Sequence, residues 1–269
     1  MPEGPEVRKN TDYLRDFFLD TQITRVEIIS GRYKRHGPFH GYESLVASLP
    51  ASVSDVSCKG KFMYIVLEDK SSIWITLGMS GMWQNYRTKH TRVILENSIG
   101  SRVYFNDTRN FGTLKYVSCV AELGKKLESL GPDVLNDKIT PSIFFDRIKK
   151  AKNKTIAEAL MNQKIISGIG NYLKSEILYA SKISPHRTCD KITSEESKVL
   201  CKASRSISNL SYKSGGATLS TYTDAYGNKG MYSRRFAVYN QKSDPEGNSV
   251  LREPTRDGRT TFWVPKIQT

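Results

Sequence analysis

The chain opens Met-Pro-Glu-Gly-Pro-Glu. A small second residue normally allows Met1 to be removed, which would leave Pro2 with a free secondary amine. An α-amino group has a pKa of about 8, so a useful fraction is neutral at physiological pH. Such an amine can attack an electrophilic carbon and form an iminium, the amine route of covalent catalysis. Glu3 lies beside it and Glu6 one helical turn on, both able to handle protons. The same residues also make an ordinary helix start, with Pro5 in the first turn, and taken alone they favour that plainer reading.

Two further segments have the residue types for gripping an anion. Ser167-Gly168-Ile169-Gly170-Asn171 reads as a tight turn leading into a helix. Backbone N–H groups at a helix start, together with the Asn171 amide, suit a phosphate oxygen. A turn that merely connects two helices is the alternative. Near the end of the chain, Arg259 precedes Phe262 and Trp263, either as a phosphate clamp on a hairpin or as part of a small packed cluster. Cys58, Cys119, Cys189 and Cys201 are widely spaced without a CxxC pair, which predicts neither a disulfide framework nor a metal site. No P-loop or dinucleotide fingerprint is present, which counts against a metabolic enzyme acting on a phosphorylated substrate.

These residues need elements to position them. The apolar residues Val7, Leu14, Phe17 and Phe18 predict an amphipathic helix from Pro5 to residue 18. Short β-rich runs follow at 23–29, 62–67, 73–77, 92–95, 103–105 and 114–117. Irregular Ser, Asn, Asp and Gly punctuation between them predicts a sandwich or barrel rather than βαβ units. Gly131-Pro132 and Thr140-Pro141 bracket an expected connection between domains. Beyond it, Thr155 with Glu158 and Thr193 with Glu196 fit capping boxes. Leu200, Ala203, Ile207 and Leu210 are expected to form the buried stripe of the second of these helices. Leu173, Ile177 and Leu178 mark the helix after Asn171, with Ser184-Pro185 as its expected stop. From Gly215 onward the texture returns to strands and loops.

The 269 residues carry 41 Lys+Arg against 27 Asp+Glu, a net charge of +14. Residues 1–137 hold 18 basic and 16 acidic side chains, and residues 138–269 hold 23 and 11. Nearly all the excess therefore lies in the second half, which favours a polyanionic partner, nucleic acid above all. No basic amphipathic helix with an aromatic face supports a membrane surface. No run approaches the roughly 18 apolar residues of a membrane span, and the start lacks a signal-peptide core. An intracellular soluble protein is expected, in a nucleus if the source is eukaryotic and otherwise in the cytoplasm.

Five segments, in order, resemble the formamidopyrimidine-DNA glycosylase / endonuclease VIII family. They are Pro2-Glu3-Gly4-Pro5-Glu6, Lys59-Gly60-Lys61-Phe62, Leu77-Gly78-Met79-Ser80-Gly81, Asp107-Thr108-Arg109-Asn110-Phe111-Gly112 and 168–178, beginning Gly168-Ile169-Gly170-Asn171. The resemblance implies an α+β multidomain protein. Residues 1–130 would form an N-terminal β-sandwich with its amino-terminal helix, and 131–150 a linker. Residues 151–214 would form a helix–two-turn–helix domain, and 215–269 a lesion-loop region and β-hairpin finger.

It further implies a bifunctional enzyme of base excision repair, acting as a monomer on damaged double-stranded DNA held between its domains. Pro2 would be the nucleophile, Glu3 the acid/base group and Glu6 a further acidic support. Lys61, Asn171 and Arg259 would hold phosphates, with Lys61 also counted among the catalytic residues. Met79, Arg109 and Phe111 would fill the gap left by the flipped base. Expected substrates are formamidopyrimidines and oxidised pyrimidines, with 8-oxoguanine as a further candidate. A catalytically silent damaged-DNA-binding protein is the alternative. No cofactor and no metal are expected. Bacterial members close the finger with four zinc-binding cysteines, whereas residues 242–268 contain none. The segment 258–263 instead resembles the zincless finger of animal, plant and fungal members, with Phe262 and Trp263 expected to stabilise it by packing. Residues 223–230 fall near the lesion-capping loop of purine-type enzymes, and read equally well as a flexible surface turn.

Overall fold

The computed structural model describes residues 2–219 and 222–269. Removal of Met1 therefore lies outside the described residues. The chain divides into two compact units. One comprises Pro2, 6–128 and 215–230, and the other 3–5, 129–214 and 231–269.

The first unit begins with helix α1 (Gly4–Phe18), whose two leading residues are assigned to the second unit. Then come β1 (Gln22–Ile28), the short helices α2 (Arg32–Arg35) and α3 (Tyr42–Ala47), and β2 (Ala51–Lys59). The strands β3 (Phe62–Leu67), β4 (Ser72–Thr76), β5 (Gly81–Gln84), β6 (Thr91–Asn97), β7 (Arg102–Asp107) and β8 (Thr113–Val117) follow, and α4 (Val120–Glu128) ends the run. The strands form one antiparallel sheet in the order β5-β7-β6-β1-β2-β3-β4-β8. Only Gln22↔Ser52 and Ile23↔Ala51 pair β1 with β2, so the sheet falls into two four-stranded halves at that seam. Trp83 and Phe105 from one half share a single buried cluster with Ile65 and Ile75 from the other, and Val7, Leu14 and Phe18 of α1 join it. Two half-sheets feeding one core make the expected sandwich.

The helix and the six expected strands all form, with ends shifted by a residue or two. Strand β2 escaped the periodicity because it is rich in serine and carries a register shift between Val53 and Asp55, which breaks the alternation. Strand β5 escaped it because all four residues are buried, which leaves no alternation to read.

The second unit carries α5 (Pro141–Lys149), α6 (Ile156–Met161), α7 (Asn171–Ala180), α8 (Ser194–Lys213) and a hairpin of β9 (Leu251–Pro254) with β10 (Thr260–Trp263). The stretch 131–150, expected as a linker, thus contains a helix that packs on α8. Both capping boxes are formed, Thr155 with Glu158 and Thr193 with Glu196. Helix α7 stops at Ala180, ahead of Ser184-Pro185, and Lys182 follows in the left-handed region with φ 58°. The buried stripe of α8 also differs from the expected one. It runs through Ser197, Leu200, Cys201, Ser204, Ser208 and Ser211, while Leu210 is exposed. Small serines let the neighbouring helix approach closely, and the Tyr172 hydroxyl lies 2.9 Å from Ser211 Oγ. No helix among the described residues is long and apolar enough to cross a membrane.

The caps give a direct test of how α8 is started. Thr193→Ala removes the acceptor for Glu196 N–H and should cost about 1 kcal/mol of stability. Chemical denaturation followed by circular dichroism measures this, and an unchanged midpoint would show that the box is idle.

Candidate functional site

In the second unit, the amino-terminal glutamate caps a helix. Glu3 Oε2 accepts hydrogen bonds from Gly170 N–H at 2.8 Å and Leu173 N–H at 3.2 Å. Its Oε1 accepts one from Tyr172 N–H at 2.9 Å. The first N–H groups of a helix have no partners inside it, and Gly170, the N-cap of α7, has no side chain to offer. Glu3 fills that role from far away in sequence, with its negative charge at the positive end of the helix dipole. The glycines make this possible. A Cβ on Gly170 would lie 2.2 Å from Glu3 Cδ, and Gly168 takes φ 97° while its carbonyl accepts Gly4 N–H. In the sequence, the backbone N–H groups at this helix start suit a phosphate oxygen. Three of them are instead committed to Glu3, which leaves the Asn171 side chain as the phosphate candidate.

Asn171 Nδ2 donates to Thr260 O at 2.9 Å, which ties it to the strand following Arg259. Arg259 itself is exposed at the turn of the β9–β10 hairpin. Ser175 Oγ accepts Phe262 N–H at 3.4 Å, and the carboxylate of Glu176 accepts N–H groups of Ala237, Val238 and Tyr239. Burial pushes the Glu176 carboxyl up, and those three bonds pull it back. Phe262 packs with Val238 and Val264, while Trp263 Nε1 donates to Glu253, whose Oε1 lies 2.7 Å from His186 Nε2. Residues 242–268 contain no cysteine, so the hairpin does not fit the zinc site of bacterial relatives. Packing by Phe262 is one part of what holds the hairpin. Lys174 and Asp257, missed in the sequence, are another: Lys174 Nζ lies 2.5 Å from Asp257 Oδ2, with side chains 0% and 3% exposed. Lys174 gave no signal because it interrupts an apolar pattern that otherwise reads as buried.

In the first unit, Lys61 is half-buried in the turn between β2 and β3. Lys59 pairs with Phe62, so Gly60 and Lys61 form a two-residue hairpin loop with Gly60 at φ 61°. A glycine first in such a loop is the sequence signature of a tight hairpin, and it holds Lys61 at the tip. Pro2 is buried ahead of α1. The Glu6 carboxylate accepts Ala217 N–H at 2.7 Å, and Gly216 has φ 85° with no room for a Cβ beside that carboxyl. Glu6 thus anchors the start of the 215–230 segment.

Met79, Arg109 and Phe111 come together on two loops stitched by polar contacts. Ser80 Oγ donates to Asp107 Oδ1 at 2.5 Å and accepts Arg109 N–H at 2.8 Å, and Gly112 N–H donates to Asp107 Oδ2 at 2.7 Å. Gly78, at φ 59°, meets the backbone of Phe111 and Gly112 so closely that a Cβ would lie 2.6 Å from Phe111 C. Phe111 is 52% exposed, with the Arg109 guanidinium 5.2 Å from its ring centroid. A large aromatic held in solvent by a rigid loop is suited to stacking on something not yet there. The 223–230 segment is also ordered. Asp224 Oδ1 accepts N–H groups from Tyr226 and Asn228, Asn85 N–H donates to Ala225 O, and Tyr226 packs edge-on against Tyr13.

Three family models match the chain in succession. The formamidopyrimidine-DNA glycosylase N-terminal domain matches residues 1–114, its H2TH domain 130–223 and its C-terminal domain 233–269. A formamidopyrimidine-DNA glycosylase of Rickettsia felis is 30% identical over 278 residues, spanning 100% of this chain and 98% of that one. The crystal structure of the MutM (Fpg) protein from Thermus thermophilus is 28% identical with a TM-score of 0.86, covering 99% of this chain and 98% of that one. A Lactococcus lactis Fpg mutant, solved with DNA containing Fapy-dG, is 23% identical with a TM-score of 0.87 over 100% of both chains, and bears on the fold alone. The chain belongs to the formamidopyrimidine-DNA glycosylase family, the DNA glycosylases of base excision repair.

Proposed function

We propose that the protein is a bifunctional glycosylase and abasic-site lyase that works through a covalent Pro2 intermediate. The observation that carries this reading is the Glu3 carboxylate, fixed by three backbone N–H groups one residue from Pro2, whose nitrogen becomes a secondary amine once Met1 is removed. A carboxylate so held keeps one position while protons move, as an acid/base group requires. With Met1 removed, the Pro2 nitrogen attacks C1′ of the damaged nucleotide, and the glycosidic bond breaks with its electrons leaving on the base. Glu3 takes the proton that the Pro2 nitrogen gives up on forming the C1′–N bond and delivers it to the sugar-ring oxygen as the ring opens to the iminium. The departing base takes its proton from water. The iminium acidifies the proton on C2′. Its removal expels the 3′ phosphate, a second elimination expels the 5′ phosphate, and water then releases Pro2.

Extruding a nucleotide from the duplex costs a few kcal/mol. Phe111 and Met79 fill the vacated stack and Arg109 pairs with the orphaned base. Lys61, Asn171 and Arg259 grip phosphates and hold the bent backbone. Glu6 supports the site from behind, through the segment it anchors. The β9–β10 hairpin acts as a zincless finger, and the enzyme works as a monomer on damaged duplex DNA. Formamidopyrimidines are the first substrate class, as in the bound DNA of the Lactococcus lactis relative. Oxidised pyrimidines and 8-oxoguanine follow. The ordered 223–230 segment supports a lesion-capping role for that loop.

Borohydride reduction during reaction with duplex DNA carrying an oxidised base should trap a covalent adduct, and Pro2→Gly should abolish it. Tight, salt-sensitive binding without an adduct in the unaltered protein would point to a silent binding protein. Glu3→Gln should lose base removal on intact lesions by more than about 100-fold, as expected for a general acid, yet keep measurable cleavage at preformed abasic sites. Equal loss of both activities would remove Glu3 from the acid/base role.

A further inference from the structure

Arg259 must be presented in one place to grip a phosphate, yet it stands on a hairpin of two four-residue strands. A hairpin that short is marginal by itself. Inside the second unit, its turn is held by a chain of buried contacts that begins on α7. Lys174 Nζ grips Asp257 Oδ2 at 2.5 Å. The other oxygen of Asp257 accepts the Thr255 hydroxyl at 2.5 Å and Arg259 N–H at 3.3 Å. Thr255 closes the circuit, because its N–H donates to Arg259 O at 3.0 Å. Both backbone polar groups of Arg259 are therefore tied to Asp257 and Thr255, and Asp257 is tied to Lys174.

The lysine cannot touch DNA itself, since its side chain is fully buried. Burial lowers its pKa, and the bond to Asp257 raises it. Burial also works against ionised Asp257, but the bonds from Lys174 and Thr255 outweigh it and hold that carboxyl low. A buried ion pair of this kind adds little net stability, and breaking it by removing one partner leaves a charge that must find another arrangement. For Asp257 the available rearrangement is to swing toward water, which takes the backbone of Arg259 with it. One helical turn before Lys174, Asn171 Nδ2 holds Thr260 O. Helix α7 thus reads the hairpin at Asp257 and Thr260, on either side of Arg259.

We propose that Lys174 is a positioning residue that acts through Asp257, locking the Arg259 turn to the helix that carries Asn171. The pair sets where a phosphate is gripped without contacting it. This rests on the reading of Arg259 as a phosphate contact.

The test is a double-mutant cycle read as binding to a duplex containing a tetrahydrofuran abasic analogue, over a range of salt concentrations. Lys174→Met and Arg259→Ala should each weaken binding about tenfold or more, the size expected for losing a charge-assisted contact. Each should also lower the slope of log affinity against log salt by about 1, the signature of one lost phosphate contact. The double variant should bind within about twofold of Arg259→Ala alone, because the lysine has nothing left to position. Asp257→Asn, which keeps a hydrogen bond at the same place, runs through the same cycle if Lys174→Met fails to fold. Losses that multiply, or a Lys174 variant with unaltered affinity and slope, would overturn the proposal while leaving the glycosylase reading in place. A native chain that does not bind this duplex would overturn both.

Discussion

The structure depends on one carboxylate at the start of a helix. Glu3 spends its oxygens on the N–H groups of Gly170, Tyr172 and Leu173, groups that α7 has no means of satisfying internally. Leaving such donors buried and unpaired would cost about 1–3 kcal/mol each. The interaction therefore fixes the third residue of the chain as firmly as any core contact. It also explains the spacing of the glycines around Ile169. Gly168 supplies a backbone angle and Gly170 supplies the space in which a carboxylate can reach the helix.

Helix α7 then serves as the reference element of its unit. It takes Glu3 at its first turn, holds Thr260 through Asn171 and Asp257 through Lys174, and secures residues 237–239 through Glu176. The buried Lys174–Asp257 pair and the bond from Asn171 to Thr260 tie the short β9–β10 hairpin to this helix. The other unit solves its positioning problem differently. There, Ser80 and Asp107 bind two loops together, and Gly78 lets their backbones touch, so that Phe111 and Arg109 project from a rigid base.

Much of this was legible in the residues. Periodicity found α1 and six strands, and Thr-x-x-Glu spacing found both capped helices. The sandwich followed from short runs without βαβ alternation. The misses have physical causes. The β2 alternation is broken by a bulge, and the buried stripe of α8 keeps Leu200 but is otherwise lined mostly by serines, with Leu210 outside it. The backbone N–H groups at the start of the Asn171 helix read in the sequence as a phosphate grip, but three of them are spent on Glu3, a partner too distant in sequence for local pattern to show. Lys174 and Asp257 are distant in sequence, and only the fold brings them together. The charge excess of the second half is likewise uninformative about them, because a buried pair cancels in the count.

In the proposed mechanism, bond breaking begins at a terminal amine and not at one of the many lysines. Peptide mapping by mass spectrometry of the borohydride-reduced protein–DNA adduct tests it most directly. The deoxyribose remnant is expected on the amino-terminal peptide Pro2–Arg8, attached at the Pro2 nitrogen, with Met1 absent. A remnant on a lysine-containing peptide, or on a chain that still begins with Met1, would contradict it.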